Sequence, residues 1–345
     1  MSLTLHVDAS RWREHLRRFV DTGRVAVVPV AKGNGYGFGN ETLAAEAGAL
    51  GVETLAVGTY EELARLDDAF AGDLLVLTPW RPWMNARLGD ERVIHTVSRP
   101  SDLHALVERG GRPRIVLEVL TSMRRHGVDP TQLEAIAEPL AETRFEGFAL
   151  HLPLAGDHRD EARELAEMAF GAVASSPVRR IWVSHLSRQA ASDVASAIDA
   201  DVRVRVGSDL WLGDRSALSM RATVLDVHSL QRGERYGYRQ RPARRAGHIV
   251  VVAGGTAHGV ALEAPSAVTS IRQRAVSVAK GGLEATGRAL SPFRIGGKQR
   301  WFAEPPHMQC SMLWLPRDVA PPEPGDEVEL DVRFTTTTAD RIVWE

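Results

Sequence analysis

Eight short apolar runs, at residues 25–31, 54–58, 74–77, 93–97, 114–120, 145–152, 181–185 and 202–206, alternate with amphipathic stretches at 40–47, 61–68, 99–109, 131–142, 159–173 and 190–198. A brief, continuous run of Val, Leu and Ile suits a parallel strand covered on both faces, and an amphipathic stretch suits the helix that covers it. Repeated βα units of this kind close most simply into a (β/α)8 TIM barrel, so the chain is expected to be α/β with a barrel over residues 1–217. A further helix within 10–19 precedes the first strand. Beyond residue 217 the long periodic helices stop. Strand-like runs at 222–230, 248–253, 312–315, 327–332 and 341–344, joined by Gly/Pro-rich turns, predict a C-terminal mostly-β domain over 218–345.

The first apolar run ends in Lys32, which opens the loop Lys32-Gly33-Asn34-Gly35-Tyr36-Gly37-Phe38-Gly39. The C-terminal end of a barrel strand is where βα loops gather around a ligand. Burial there lowers a lysine's pKa and makes it a nucleophilic amine, as a Schiff base with an aldehyde cofactor requires. A snorkelling lysine at a strand edge fits the spacing equally well. A phosphate-cradling P-loop fits poorly, because no Gly-Lys-Ser/Thr follows the glycines.

Composition narrows the partners. With 42 basic and 44 acidic residues the net charge is −2, and no long like-charge block suggests a nucleic-acid surface. The single cysteine, Cys310, excludes an internal disulfide framework and fits a reducing compartment. No apolar run approaches a membrane span, and residues 1–8 lack a signal-peptide pattern, so a soluble, cytoplasmic protein is expected.

Several motifs in order resemble the alanine racemases, fold-type III enzymes dependent on pyridoxal 5'-phosphate (PLP). Val30-Ala31-Lys32, followed by Tyr36-Gly37, is similar to their PLP-lysine motif. Leu5-His6-Val7-Asp8 is similar to their opening strand, and Met123-Arg124-Arg125-His126-Gly127 to their Met-x-Arg-x-Gly segment. His151 and Val183-Ser184-His185 match their barrel histidines, Arg205-Val206-Gly207 their Arg-Pro-Gly segment, and Tyr236-Gly237, 255–259 and 325–328 follow co-linearly.

The resemblance implies that Lys32 holds PLP and acts as one catalytic base. Tyr36, His185, Ser187, Gly207 and Ser208 would bind the cofactor, with Tyr36 and the backbone at Gly207 and Ser208 at its phosphate, and His151 would stack on its ring. Arg205 would face the ring nitrogen. An arginine does not give up its proton, so that nitrogen stays largely unprotonated and the cofactor is a weaker electron sink. Arg125 would orient the substrate carboxylate. Glu118 occupies the position of the family's carbamylated lysine, and would steady Arg125 from behind. A small amino-acid substrate and a homodimer with a shared active site are implied.

Departures bear on the reaction. The family's second base is a tyrosine in Gly-Tyr-Ala-Asp-Gly, and this chain has Gly255-Thr256-Ala257-His258-Gly259. Racemisation needs an acid/base on each face of Cα, and a threonine hydroxyl cannot replace a phenol; His258 is the candidate replacement. The family's Met-Asp pair at the substrate reads Met308-Gln309, and its phosphate-binding serine reads Gln189, for which Ser187 is the compensating candidate. His307 and Cys310 raise a metal site, but no third ligand is evident and no metal is expected.

The expected activity is therefore an amino-acid racemase with a non-standard second base. The alternatives are a PLP-dependent decarboxylase, lyase or aldolase of the same fold, and a non-catalytic PLP-binding or scaffold homologue.

Overall fold

The computed structural model describes residues 2–21, 25–262 and 289–345. The chain opens on β1 (Leu3–Val7) and α1 (Ala9–Asp21). Eight strands follow: β2 (Ala26–Ala31), β3 (Thr54–Val57), β4 (Asp73–Val76), β5 (Val93–Val97), β6 (Arg114–Val119), β7 (Arg144–His151), β8 (Arg180–Ser184) and β9 (Asp201–Val206). Between and after them lie α2 (Asn40–Ala49), α3 (Pro100–Glu108), α4 (Ala137–Ala141), α5 (Arg159–Ala172), α6 (Arg188–Ile198) and α7 (Ser208–Trp211). The remainder is β10 (Leu218–Leu230), β11 (Arg235–Tyr236), β12 (Arg241–Pro242), β13 (Gly247–Ala253), β14 (Leu290–Ile295), β15 (Lys298–Phe302), β16 (Cys310–Pro316), β17 (Glu327–Glu329) and β18 (Arg341–Trp344).

Two compact units result. The barrel unit, Arg13–Gly35 with Gly39–Gly213, closes β2 through β9 in sequence order. Every neighbouring pair is parallel, and closure is made by Val28 opposite Arg205. The strands alternate inward and outward residues, and Val28, Val30, Ala56, Leu75, Ile94, Val116, Ala149 and Trp182 fill the interior as one buried cluster. Trp182 satisfies its indole N–H on the Glu146 carbonyl at 2.8 Å, so a polar handle costs the core nothing unpaired. At Gly147 the register between β6 and β7 shifts. Its φ of 114° and a Cβ position 2.4 Å from the Arg180 carbonyl oxygen admit only glycine.

All eight expected strands are present, but not every expected helix. The 61–68 stretch forms a tight 3-10 turn, Tyr60–Arg65, pinned by the Glu62 carboxylate. The 131–142 stretch breaks into short 3-10 turns at Pro130–Gln132 and Glu134–Ile136 before α4. Pro139 has no N–H to continue a helix from upstream, so α4 starts close before it. Pro79 and Pro82 likewise keep the β4–β5 connection free of helix.

The second unit comprises Met1–Trp12, Tyr36–Phe38 and Asp214–Glu345. Its main sheet has the order β14-β15-β16-β13-β10-β1-β18, with β17 also on β10, and β11 and β12 form a separate ribbon. The first residues, expected with the barrel, pair here instead, because β1 runs antiparallel to β10 and parallel to β18. The β14–β15 hairpin turns at Gly296 and Gly297, both at positive φ, as a two-residue turn between twisted strands demands.

Candidate active site

Lys32 directly follows β2 at the C-terminal end of the barrel strands. Its carbonyl accepts from the Gly35 N–H at 3.1 Å. Gly35 sits at φ 59°, and a Cβ there would lie 2.6 Å from the Asn40 backbone nitrogen, so the loop packs tightly onto the start of α2. Glu62 fixes the other side: its carboxylate accepts from the N–H groups of Gly33 (2.9 Å), Gly58 (2.7 Å) and Thr59 (3.2 Å). By surface area Lys32 is exposed, yet protein surrounds enough of the amine to lower its pKa. Burial is the main cause, the charges of Arg125 and Arg205 add to it, and Glu62 opposes it.

The same barrel end gathers Arg125, His151, His185, Arg205 and Glu118. Arg205, on β9, is buried and donates from Nη2 to the Leu150 carbonyl at 3.0 Å. Burial pulls its pKa down to about 10, with Glu118 opposing, so it remains a cation at neutral pH. His151, ending β7, shares a 2.7 Å hydrogen bond between Nδ1 and the Ser184 hydroxyl, and its ring meets His185 edge-on at 5.1 Å. Burial, followed by the Arg205 and Arg125 charges, pushes His151 down to about 3; the same causes lower His185. His185 adopts a φ of 63°, strained for a residue with a side chain, as functional loops often are. Arg125 is exposed, and its charge acts on Lys32, Glu118, His126, His151, His185 and Arg205.

Glu118, on β6, is buried, and burial raises its pKa against the pull of Arg205, Arg125 and Arg81. Glu118 Oε2 and Arg205 Nε are both buried without a hydrogen-bond partner among the described residues. Buried polar atoms are seldom left unpaired, and here an acceptor and a donor are both left over at one barrel end. Beside an amine of lowered pKa, this donor set fits a heteroaromatic aldehyde with polar substituents. Ser187 caps α6 by accepting from the Ala190 N–H at 3.1 Å, and Gly207 precedes Ser208, the first residue of α7, so all lie at helix starts after β8 and β9.

The remaining expected residues belong to the β unit. Tyr36 is buried, at φ 53°, and burial pushes its phenol up to about 12. Thr256 is exposed, and the Thr256 and Ala257 N–H groups donate to the His307 and Met308 carbonyls at 2.9 and 3.0 Å. The 255–259 turn and the Met308-Gln309 segment are thus side by side. His258 is buried, accepts from the Gly255 N–H at Nδ1 (3.2 Å) and meets Asp340 Oδ1 at Nε2 (3.0 Å). Both ring nitrogens are engaged within its own unit. Cys310 Sγ lies 3.8 Å from His307 Nδ1, and His307 Nε2 lies 2.7 Å from Glu304 Oε1; among the described residues no group of three His, Cys, Asp or Glu side chains could hold a metal.

Two participants escape the sequence reading. Glu62 carries a legible signal, Thr59-x-x-Glu62, the spacing of a capping box. Ser184 adjoins His185 within the same motif, and only the fold shows that it serves His151.

The family model described as the alanine racemase N-terminal domain matches residues 7–215. An alanine racemase of Mycobacterium tuberculosis is 29% identical over 250 residues, 66% of this chain and 63% of that protein. The chain thus matches less than two thirds of that relative's length. One from Corynebacterium glutamicum is 25% identical over 257 residues, covering 69% and 71%. Among solved structures, alanine racemase from Bartonella henselae with covalently bound pyridoxal phosphate superposes with a TM-score of 0.71 at 14% identity, covering both chains fully (100% each). A family model spanning the whole closed barrel, together with these relatives, places this chain in the alanine racemase family.

Proposed function

We propose that this chain is a PLP-dependent amino-acid racemase. The observation that carries the proposal is the grouping of Lys32, Arg125, His151 and Arg205 at one barrel end, with an orphaned donor and acceptor between the elements. Lys32 would hold the cofactor, Arg205 would meet its ring nitrogen and His151 its ring face. Tyr36, His185, Ser187 and the backbone at Gly207 and Ser208 are its proposed further contacts. Bound PLP supplies an electrophilic carbonyl and an electron-withdrawing ring that acidifies the Cα–H of an attached amino acid.

Each side chain then has a task. Lys32 removes or returns the Cα proton on one face, and its lowered pKa keeps a larger neutral fraction near neutral pH. Arg125 holds the substrate carboxylate through its fork. Glu118 would orient Arg125; burial favours its protonated form, and the charges of Arg205, Arg125 and Arg81 oppose that. His151 stays neutral, which keeps a further positive charge off the ring. Arg205 would donate a hydrogen bond to the ring nitrogen from its unpaired Nε without surrendering its proton, which would leave the ring a weaker electron sink.

The opposite face decides the reaction. Thr256, Met308 and Gln309 are proposed to reach the substrate from a second copy in a homodimer. A second reading, a decarboxylase, lyase or aldolase of the same fold, is favoured by one observation: Thr256 has no usable acid/base group, and His258 is tied to Gly255 and Asp340. Incubating PLP-loaded protein in D2O with single amino-acid enantiomers separates the two. Racemisation predicts Cα deuteration with inversion. Deuteration with full retention, or loss of CO2 or of the side chain, would overturn it in favour of the second reading.

A further inference from the structure

The β11–β12 ribbon concentrates positive charge that the whole-chain balance conceals. Within residues 231–245 lie Arg232, Arg235, Arg239, Arg241, Arg244 and Arg245 against a single acid, Glu234, in a chain whose net charge is −2. Several arginines elsewhere sit in ion pairs, as Arg114 does with Asp73 and Glu146 or Arg294 with Asp331. Arg244 and Arg245 are exposed and form no ion pair among the described residues. Arg241, Arg244 and Arg245 line a concavity of about 790 Å3 formed wholly within the β unit.

The facing wall is aromatic. Trp301 on β15 and Trp314 on β16 are direct cross-strand partners, so both rings lie on one face of the sheet. Tyr236 adds a third ring, 6.3 Å from Trp314 and tilted by 32°. Gly247, two residues along β13 from the Ile249 that pairs with Trp314, lets the indole lie close to the strand, since a Cβ there would fall 2.8 Å from it. Indole faces left open beside the exposed guanidinium groups of Arg244 and Arg245 are unusual in a surface that only needs to stay soluble.

We propose that this concavity is a nucleotide site, distinct in its residues from the Lys32 centre, with a base stacked on the Trp301–Trp314 face and phosphates held by Arg241, Arg244 and Arg245. Guanidinium forks match phosphate oxygens, and a planar base gains from stacking on indole. The volume falls in the range of small-ligand sites, and Ala303 and Pro316 bound it, which suits one nucleotide better than the track of a strand.

Isothermal titration of the full-length, PLP-loaded protein with ATP, adenosine, tripolyphosphate and a fifteen-nucleotide oligouridylate tests this. ATP should saturate one site per chain, with adenosine and tripolyphosphate each binding at least about tenfold more weakly. Arg244→Glu/Arg245→Glu should weaken ATP by about a hundredfold or more, Arg244→Gln/Arg245→Gln by somewhat less, and Trp301→Ala by about tenfold. Arg244 and Arg245 are both exposed, so each variant should fold, which circular dichroism checks. Absence of saturable ATP binding, unchanged affinity in the charge variants, tripolyphosphate binding as tightly as ATP, or the oligonucleotide binding more tightly than ATP would each overturn the proposal.

Discussion

Replacing Glu62 by alanine isolates the device that holds the Lys32 loop. The carboxylate gathers the N–H groups of Gly33, Gly58 and Thr59, joining the loop after β2 to the loop after β3. The Gly33 bond is exposed, so water replaces it; the Gly58 and Thr59 donors are partly buried and lose a charged acceptor. At about 1.5–3 kcal/mol for a hydrogen bond to a charged group, discounted for partial exposure, the two together come to about 3 kcal/mol. Glu62→Gln keeps one acceptor oxygen and should lose roughly half of that. The packing is close enough to transmit the change, because a Cβ on Gly58 would lie 2.9 Å from Glu62 Oε2 and 3.0 Å from Lys32 Cβ. Glu62 is also the charge that raises the Lys32 pKa, so its removal should lower that pKa further. Urea unfolding reads the stability change, and a pH titration of the cofactor's visible absorbance reads the lysine, with its alkaline limb moving to lower pH. Stability within about 0.5 kcal/mol of wild type together with an unshifted titration would refute this account.

Other consequences can be measured separately. Burial holds His95 at about 4, and its Nδ1 bonds the Tyr60 hydroxyl at 2.9 Å. The unfolded chain therefore binds this proton first, and stability present above about pH 6.5 should fall toward pH 4 by roughly 3 kcal/mol; His95→Gln should flatten that slope in pH-dependent denaturant melts. Gly255→Ala should destabilise the β unit severely, since the added Cβ would lie 2.1 Å from the His307 carbonyl oxygen; a melting temperature close to wild type would contradict the packing described. Trp211→Phe removes the 2.8 Å bond from the indole N–H to the Val30 carbonyl, two residues before Lys32, and should cost about 1–3 kcal/mol by chemical denaturation.

The barrel is legible in the sequence because its strands are buried on both faces and read as unbroken apolar runs. Its connections are less so. Periodicity over 131–142 suggests one helix, but Pro139 limits the regular part to α4, and at 61–68 the Glu62 carboxylate favours a tight turn. β14 and β15 escape notice because Pro292 and the paired glycines read as irregular chain. Within the site, Lys32, Arg125, His151 and Arg205 stand out through motif and strand-end position. The environment of each is three-dimensional: the Ser184 hydroxyl on His151 and the lone Arg205 Nε cannot be read from spacing. His258 shows the converse. Its position two residues past Thr256 suggests a base, whereas the 255–259 turn aims its ring at Asp340.

The central claim is that Lys32 is the residue that holds the cofactor covalently. The chain's lysines are Lys32, Lys280 and Lys298, and Lys280 lies outside the described residues. Borohydride reduction of the PLP-loaded protein, followed by peptide mass spectrometry, should place a single pyridoxyl group on Lys32, with visible absorbance and adduct both lost in Lys32→Ala. A stoichiometric adduct on Lys280 or Lys298, or undiminished loading in Lys32→Ala, would contradict the account.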